Sequence, residues 1–245
     1  MPNKSSLKNL LSRQDTWRGR NRSLRKNIIT TGNNSLDRLL LGGWPVSALT
    51  ELVSQQDGIG ELSILLPTLK HYADEGKLCV WLDPPYQPYA PALVNAEIPL
   101  DKLLVVRSKD SREWLWTAEQ SIRGNALLFA WTNRAQPSYS ALRKLQLAAT
   151  ESLAPAFLFS PPAAIKAHSP ALLRIELESM KPNSLSITLH KLKGKVPGAK
   201  IQIALGDVIT ERTFLDRLPV NINYPQGKKS NYPLPLKHKV QQLNT

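Results

Sequence analysis

From about residue 49 to residue 160 the chain alternates short apolar runs with longer stretches whose apolar positions recur at helical spacing. Leu49-Thr50-Glu51-Leu52-Val53 reads as a buried strand, and Lys77–Leu82, Leu103–Val106, Ala126–Trp131 and Ala156–Phe159 read the same way. Between them, Leu62, Leu65, Leu66 and Leu69 fall on one helical face, as do Trp114, Leu115, Ala118 and Ile122. Leu142, Leu145, Ala149 and Leu153 line the buried side of a third helix. Pro67, inside the first of these patterns, predicts a lost backbone bond and a kink. Pro84 to Tyr89 predicts a rigid connection into a short helix ending near Ala96. Thr31 to Asp37 predicts a turn opening a short helix, with Leu36, Leu39 and Leu40 inward and Gly42-Gly43-Trp44-Pro45 as its end. Strands this apolar, separated by helices, predict a parallel sheet covered on both faces.

Past Ser160 the period changes to two. Leu172 to Leu177, Leu185 to Leu189 and Ile201 to Ile203 alternate apolar with polar positions, which predicts half-exposed antiparallel strands extending the same sheet. The expected organisation is a basic, flexible N-terminal arm over residues 1–29, a core domain over 30–206, and a basic, largely disordered tail over 207–245.

At 245 residues, 42% of them hydrophobic, the chain is long enough for one sizeable core. No apolar run is long enough to span a bilayer, and the basic N-terminus lacks the apolar stretch of a secretory signal. One cysteine, Cys79, excludes an internal disulfide. A cytosolic chain without membrane contact is the expectation. The formal net charge of +13 points to a polyanionic partner. Lys4, Lys8, Arg13, Arg18, Arg20, Arg22, Arg25 and Lys26 crowd the start, Lys191, Lys193, Lys195 and Lys200 form a second cluster, and Lys228, Lys229, Lys237 and Lys239 a third.

The strand at Leu49–Val53 runs into Ser54-Gln55-Gln56-Asp57-Gly58-Ile59-Gly60-Glu61-Leu62-Ser63 and then an apolar helical pattern. This is the strand–loop–helix layout of a phosphate-binding loop, in which backbone amides cradle phosphates, a Lys reaches the terminal phosphates and a Ser/Thr holds magnesium. Here Glu61 stands at the Lys position and Leu62 at the Ser/Thr position. Two unit charges about 4 Å apart interact by roughly 4 kcal/mol at an effective dielectric near 20. Exchanging attraction for repulsion therefore costs about twice that, comparable to the ~8 kcal/mol of a micromolar ligand. Gly58 and Gly60 read as a tight turn, with Asp57 and Glu61 discouraging any anion at the helix start. Ser54, Gly58, Gly60, Glu61 and Leu62 thus outline a degenerate phosphate loop. No catalytic residue, cofactor or metal site is assigned: His71, His168, His190 and His238 lack ligand spacing, and no Ser–His–Asp or Cys–His arrangement is legible.

These residues together resemble the core of the recombinase RecA. The match is carried by Thr31-Gly32, Ser35-Leu36-Asp37 and Gly42-Gly43 before the loop strand, by Glu51-Leu52 and the loop itself, by Gly76 to Asp83 with Pro88-Tyr89-Ala90, by Ala141 to Leu145, and by Lys191 to Lys195. Trp17-Arg18-Gly19-Arg20, Gly43-Trp44-Pro45, Gly58 to Leu62, Pro88 to Leu93 and Leu142 to Ala149 are similar to the ImuA family, RecA-like accessory proteins of bacterial SOS mutagenesis, often labelled SulA-like. The resemblance implies a RecA-like, mostly parallel twisted sheet with antiparallel C-terminal strands. It also implies a role in damage-induced translesion DNA synthesis beside an ImuB-type polymerase-like protein and RecA. Asp83 matches an acidic RecA position, while Pro85 falls where RecA carries its catalytic glutamate, so the expected function is non-enzymatic. The alternative is a SulA-like cell-division inhibitor that binds FtsZ.

For DNA, non-specific and single-stranded, the candidate contacts are Trp17, Arg18, Arg20, Arg22, Arg25 and Lys26 in the arm, with Arg143 and Lys144 on the outer side of a helix. The arm reads equally as a docking segment for a neighbouring subunit, which makes self-association a further expectation, and Arg143 and Lys144 read equally as a solvated helix face. Ser160 to Pro170 is much shorter than the corresponding RecA loop and carries one Lys and one His, Lys166 and His168.

Overall fold

The computed structural model describes residues 28–181 and 183–205. The arm residues from Trp17 to Lys26 and the tail lysines from Lys228 onward lie outside the described residues. The fold is α/β, built on one large sheet with helices on both faces. Ten strands occur in chain order: β1 Ile28–Ile29, β2 Trp44–Pro45, β3 Leu49–Ser54, β4 Cys79–Leu82, β5 Leu103–Val106, β6 Leu127–Trp131, β7 Ala156–Ser160, β8 Leu173–Lys181, β9 Ser184–Lys191 and β10 Lys200–Ala204. The helices are α1 Asn34–Leu39, α2 Leu66–Asp74, α3 Ala90–Asn95, α4 Ser111–Arg123 and α5 Tyr139–Thr150.

The eight-stranded sheet has the order β5-β4-β6-β7-β3-β8-β9-β10. Strands β3 to β8 are mutually parallel, and β9 and β10 continue antiparallel, an arrangement consistent with a RecA-like core. The first alternating run corrects its sequence expectation. β8 pairs parallel with β3, Thr50 opposite Leu173, and only its other edge is antiparallel, to β9. Alternation reports which face is buried, not strand direction: Leu173, Ile175 and Leu177 are fully buried, while Arg174 and Glu176 point to the opposite face. A small ribbon, β1 against β2, was not foreseen.

The two sheet faces differ in filling. Helices α1, α2 and α3 cover a face lined by Leu52, Trp81, Phe129, Trp131, Phe157 and Phe159. Its rings interlock: Trp44 meets Phe157 edge-on at 5.3 Å, Phe129 meets Phe157 at 5.5 Å, and Trp131 stacks on Phe159 at 4.3 Å. Helices α4 and α5 cover the other face through Trp114, Ala118, Ile122, Leu142, Leu145 and Ala149, against Leu49, Val80, Leu128 and Leu158. Small alanines there let two helices lie close to the strands. Leu153 is an exception to the expected buried stripe, because α5 ends at Thr150 and Leu153 sits in the following turn, 66% exposed.

Local chemistry sets the helix starts. Asn33 caps α1 by accepting from the amides of Ser35 and Leu36, Asp110 caps α4 through Arg112 and Glu113, and Ser138 caps α5 through Ala141. Pro67 does not kink a helix. Helix α2 begins at Leu66, which puts Pro67 in its first turn, where a missing amide costs no internal bond. The stretch from Gln55 to Leu65 is consequently all loop and turn. Gly32 packs against this start: a Cβ there would meet Pro67 Cγ at 2.9 Å.

Candidate functional site: a closed phosphate-loop position

Ser54 ends β3 at the C-terminal edge of the parallel strands, where ligand crevices form in open α/β sheets. A phosphate site there needs free backbone amides aimed outward. Here the amides of Gly58, Ser63, Leu65 and Leu66 are engaged internally. Gly58 N–H donates to Glu61 Oε1 at 2.9 Å. Ser63 donates to the carbonyl of Gly60 at 3.0 Å, and Leu65 and Leu66 both donate to that of Leu62, at 2.9 and 3.0 Å. At this position Glu61 is a repelling charge for a phosphate. The geometry goes further, since its carboxylate takes a loop amide that a phosphate oxygen would need. Glu61 is 5% exposed, and its second oxygen accepts no hydrogen bond from the described residues.

The loop is also covered at Gly60, while residues 55–58 stay exposed. Leu205 lies on Gly60, so that a Cβ there would push the leucine tip aside, and the φ of +97° favours glycine on its own account. Leu205 is held by its own amide, which donates to the carbonyl of Asn183 at 2.6 Å. Ile59, Leu62 and Leu205 all pack on the aromatic face of the core. At the magnesium-ligand position the chain therefore presents an apolar side chain turned inward.

The acid after β4 is engaged as well. Asp83, 4% exposed, accepts from Ser108 N–H at 2.7 Å and from the Ser108 hydroxyl through its other oxygen. Its carboxylate joins the loop after β4 to the loop after β5, and the Arg107 guanidinium reinforces the join by donating to the Pro84 carbonyl. At the tip of β6 stands Thr132, whose hydroxyl donates to the Phe159 carbonyl at 3.1 Å. No group of three or more His, Cys, Asp or Glu suited to a metal ion occurs among the described residues.

On the α5 side of the same edge lies a cleft of about 880 Å³, lined among others by Glu51, Thr132, Gln136, Tyr139, Ser160 and His168. Its wall is the segment after β7, which forms a 3-10 turn over Pro162–Lys166. Arg174 pins that wall. Its Nε sits 2.8 Å from Glu51 Oε2, its Nη1 donates to the Ala167 carbonyl at 3.0 Å, and its Nη2 donates to that of Ala164. Lys191 adds a third tie, from Nζ to the Ser169 carbonyl at 2.8 Å. Burial, then the nearby Arg174 cation, pulls the Lys191 pKa below its ordinary value, while Glu51 opposes that shift.

Sequence reasoning missed the Glu51–Arg174 pair. The signal was present: a carboxylate in the middle of an apolar strand is almost never buried without a partner. Of the predicted DNA contacts within the described residues, Arg143 is exposed and makes no described ion pair, whereas Lys144 is bound to Glu119, Nζ to Oε2 at 2.6 Å. Arg123 grips the same carboxylate at 3.0 Å. The hydrogen bond from Lys144, then that from Arg123, holds the Glu119 carboxyl below its usual range. This cross-link between α4 and α5 occupies one of the two helix cations.

Cys79 is buried, and desolvation pushes its thiol up to about 12, which makes it a poor nucleophile. No helix among the described residues is long and apolar enough to cross a membrane. No protein-family model matches this chain, and no curated protein matches it. The fold is an α/β core consistent with a RecA-like arrangement, with Glu61 holding the Gly58 amide and Leu205 over Gly60 in the loop after β3.

Proposed function

We propose that this chain is a non-catalytic, RecA-like accessory protein of the bacterial DNA-damage (SOS) response, acting in error-prone translesion synthesis through contacts with DNA and proteins. The observation that carries the reading is the buried Glu61 carboxylate on the Gly58 amide. A loop that buries an acid and gives one of its amides to that acid opposes a triphosphate. The engagement of Asp83 with Ser108 and the proline at position 85 support the same conclusion, since neither leaves a base to activate water. A RecA-shaped surface without turnover still serves as an adaptor. The partners proposed are single-stranded DNA bound without sequence preference, an ImuB-type polymerase-like protein, RecA and a second copy of the chain, in the cytoplasm and at the nucleoid when active.

Isothermal titration of the full chain with magnesium-ATP and magnesium-ADP tests the non-catalytic half, and no heat of binding is expected up to millimolar nucleotide. Micromolar uptake would refute it. Affinity capture from DNA-damaged cells, with and without nuclease, tests the partner half. Recovery of FtsZ by a chain with no affinity for DNA would favour the SulA-like reading instead.

A further inference from the structure

The loop after β4 and the loop after β5 lie side by side at the sheet edge, and they display aromatic rings to solvent. Tyr86 is 72% exposed and Tyr89 59%. Trp116, on the outer face of α4, is 62% exposed. Three exposed cations follow in the chain: Arg107, tied to Pro84 in the Tyr86 loop, and Lys109 after β5, and Arg112 one turn before Trp116 on the same helix face. None of the three makes an ion pair with a described carboxylate. Asp110 is close, but its carboxylate is turned onto the amides of Arg112 and Glu113, and that of Glu113 onto the amide of Lys109.

The display is rigid. Pro84, Pro85 and Pro88 restrict the tyrosine loop, and the Asp83–Ser108 and Arg107–Pro84 hydrogen bonds lock it to its neighbour. Exposed rings on a stiff backbone gain nothing from the interior of this chain, yet they lose little entropy when something flat stacks on them. Cations neighbouring the rings in the chain select an anion-bearing ligand. Bases for the rings and phosphates for the cations are the two halves of one ligand.

We propose that Tyr86, Arg107, Lys109, Arg112 and Trp116, along the loops after β4 and β5 and the start of α4, form a stacking platform for single-stranded nucleic acid. The inference deepens the DNA-contact reading above and rests on it. It assigns the contact to the folded core and not solely to the N-terminal arm.

Fluorescence anisotropy with a labelled oligothymidylate, using the full chain across a salt series, tests it. Tyr86→Ala and Trp116→Ala each weaken binding by about five- to one-hundred-fold and leave the salt slope unchanged. The Lys109→Ala/Arg112→Ala double variant lowers the slope of log K against log salt by about 1.4, two phosphates at roughly 0.7 each. Both cations and both rings are exposed, so the variants keep the fold. Photocrosslinking of the unmodified chain to a bromouracil-substituted oligonucleotide gives a second measurement, with adducts expected at residues 84–89 and at Trp116. If the chain binds the oligonucleotide but no variant changes affinity or slope, or adducts fall only within residues 1–27, the platform is wrong and the DNA reading stands. If the platform variants lose an acidic polypeptide such as polyglutamate and keep the oligonucleotide, the surface belongs to a protein and the inference falls. If the full chain binds no oligonucleotide at low salt, the DNA reading itself fails.

Discussion

The buried pair between Glu51 and Arg174 yields the sharpest quantitative prediction. Glu51 is 2% exposed and Arg174 8%. Replacing Glu51 by Leu leaves a guanidinium in the interior with its Nε unpaired, at a cost of about 3–5 kcal/mol. For a chain of this size, at roughly 2–4 °C per kcal/mol, the Tm falls by about 6–20 °C. Arg174→Met strands the carboxylate and also removes two hydrogen bonds to the Ala164 and Ala167 carbonyls, so it costs at least as much. The double variant Glu51→Leu/Arg174→Met removes both charges together and is less destabilised than the sum of the singles by about 2 kcal/mol or more. Urea unfolding followed by far-UV circular dichroism closes the cycle on the full chain. A second readout isolates the wall of the cleft: trypsin cuts after Lys166 faster in Arg174→Met than in the native chain, because that segment has lost two of its ties. Single variants within about 0.5 kcal/mol of the native chain, or costs that simply add, would refute the assignment of this pair as the pin of the cleft wall.

Three further outcomes are expected. Gly60→Ala destabilises by about 1–3 kcal/mol, through the positive φ and the collision with Leu205, and Leu205→Ala in the same chain recovers only the collision part by urea titration. Glu119 has a folded pKa depressed by Lys144 and Arg123, so its contribution is present above the unfolded pKa and is lost as pH falls through the folded one; acid titration of stability below about pH 4.3 shows a shallower decline in Glu119→Gln than in the native chain. Cys79, with its thiol raised to about 12 by burial, resists iodoacetamide at pH 8 in the native chain and reacts readily in urea, as mass spectrometry detects. Fast native labelling would mean that β4 opens far more often than its packing allows.

Much of the core was legible from its period. Strands β3 to β7 and helices α4 and α5 announce themselves because one-sided or two-sided burial imposes a repeat on the sequence, and burial dominates the stability of such elements. The helical pattern from Leu62 to Leu69 misled at its start. Leu62 and Leu65 pack inward from a turn, which gives the spacing of a helix without being one. The direction of β8 was equally hidden, because a ladder is chosen by the neighbour it meets and not by its own side chains.

The chain's residues alone determined that the loop after β3 carries Glu61 and Leu62 where a phosphate loop carries lysine and Ser/Thr, since a charge at a position is a property of the sequence. They could not determine where the Glu61 carboxylate goes, that Leu205 lies across Gly60, or that Lys144 is held by Glu119. Nor could they join Glu51 to Arg174 or bring Arg107 onto the Pro84 carbonyl. Those contacts link residues that are distant along the chain or whose side-chain directions depend on the turn around them, and only the packing of the folded core brings such groups within the few ångströms over which hydrogen bonds and ion pairs act.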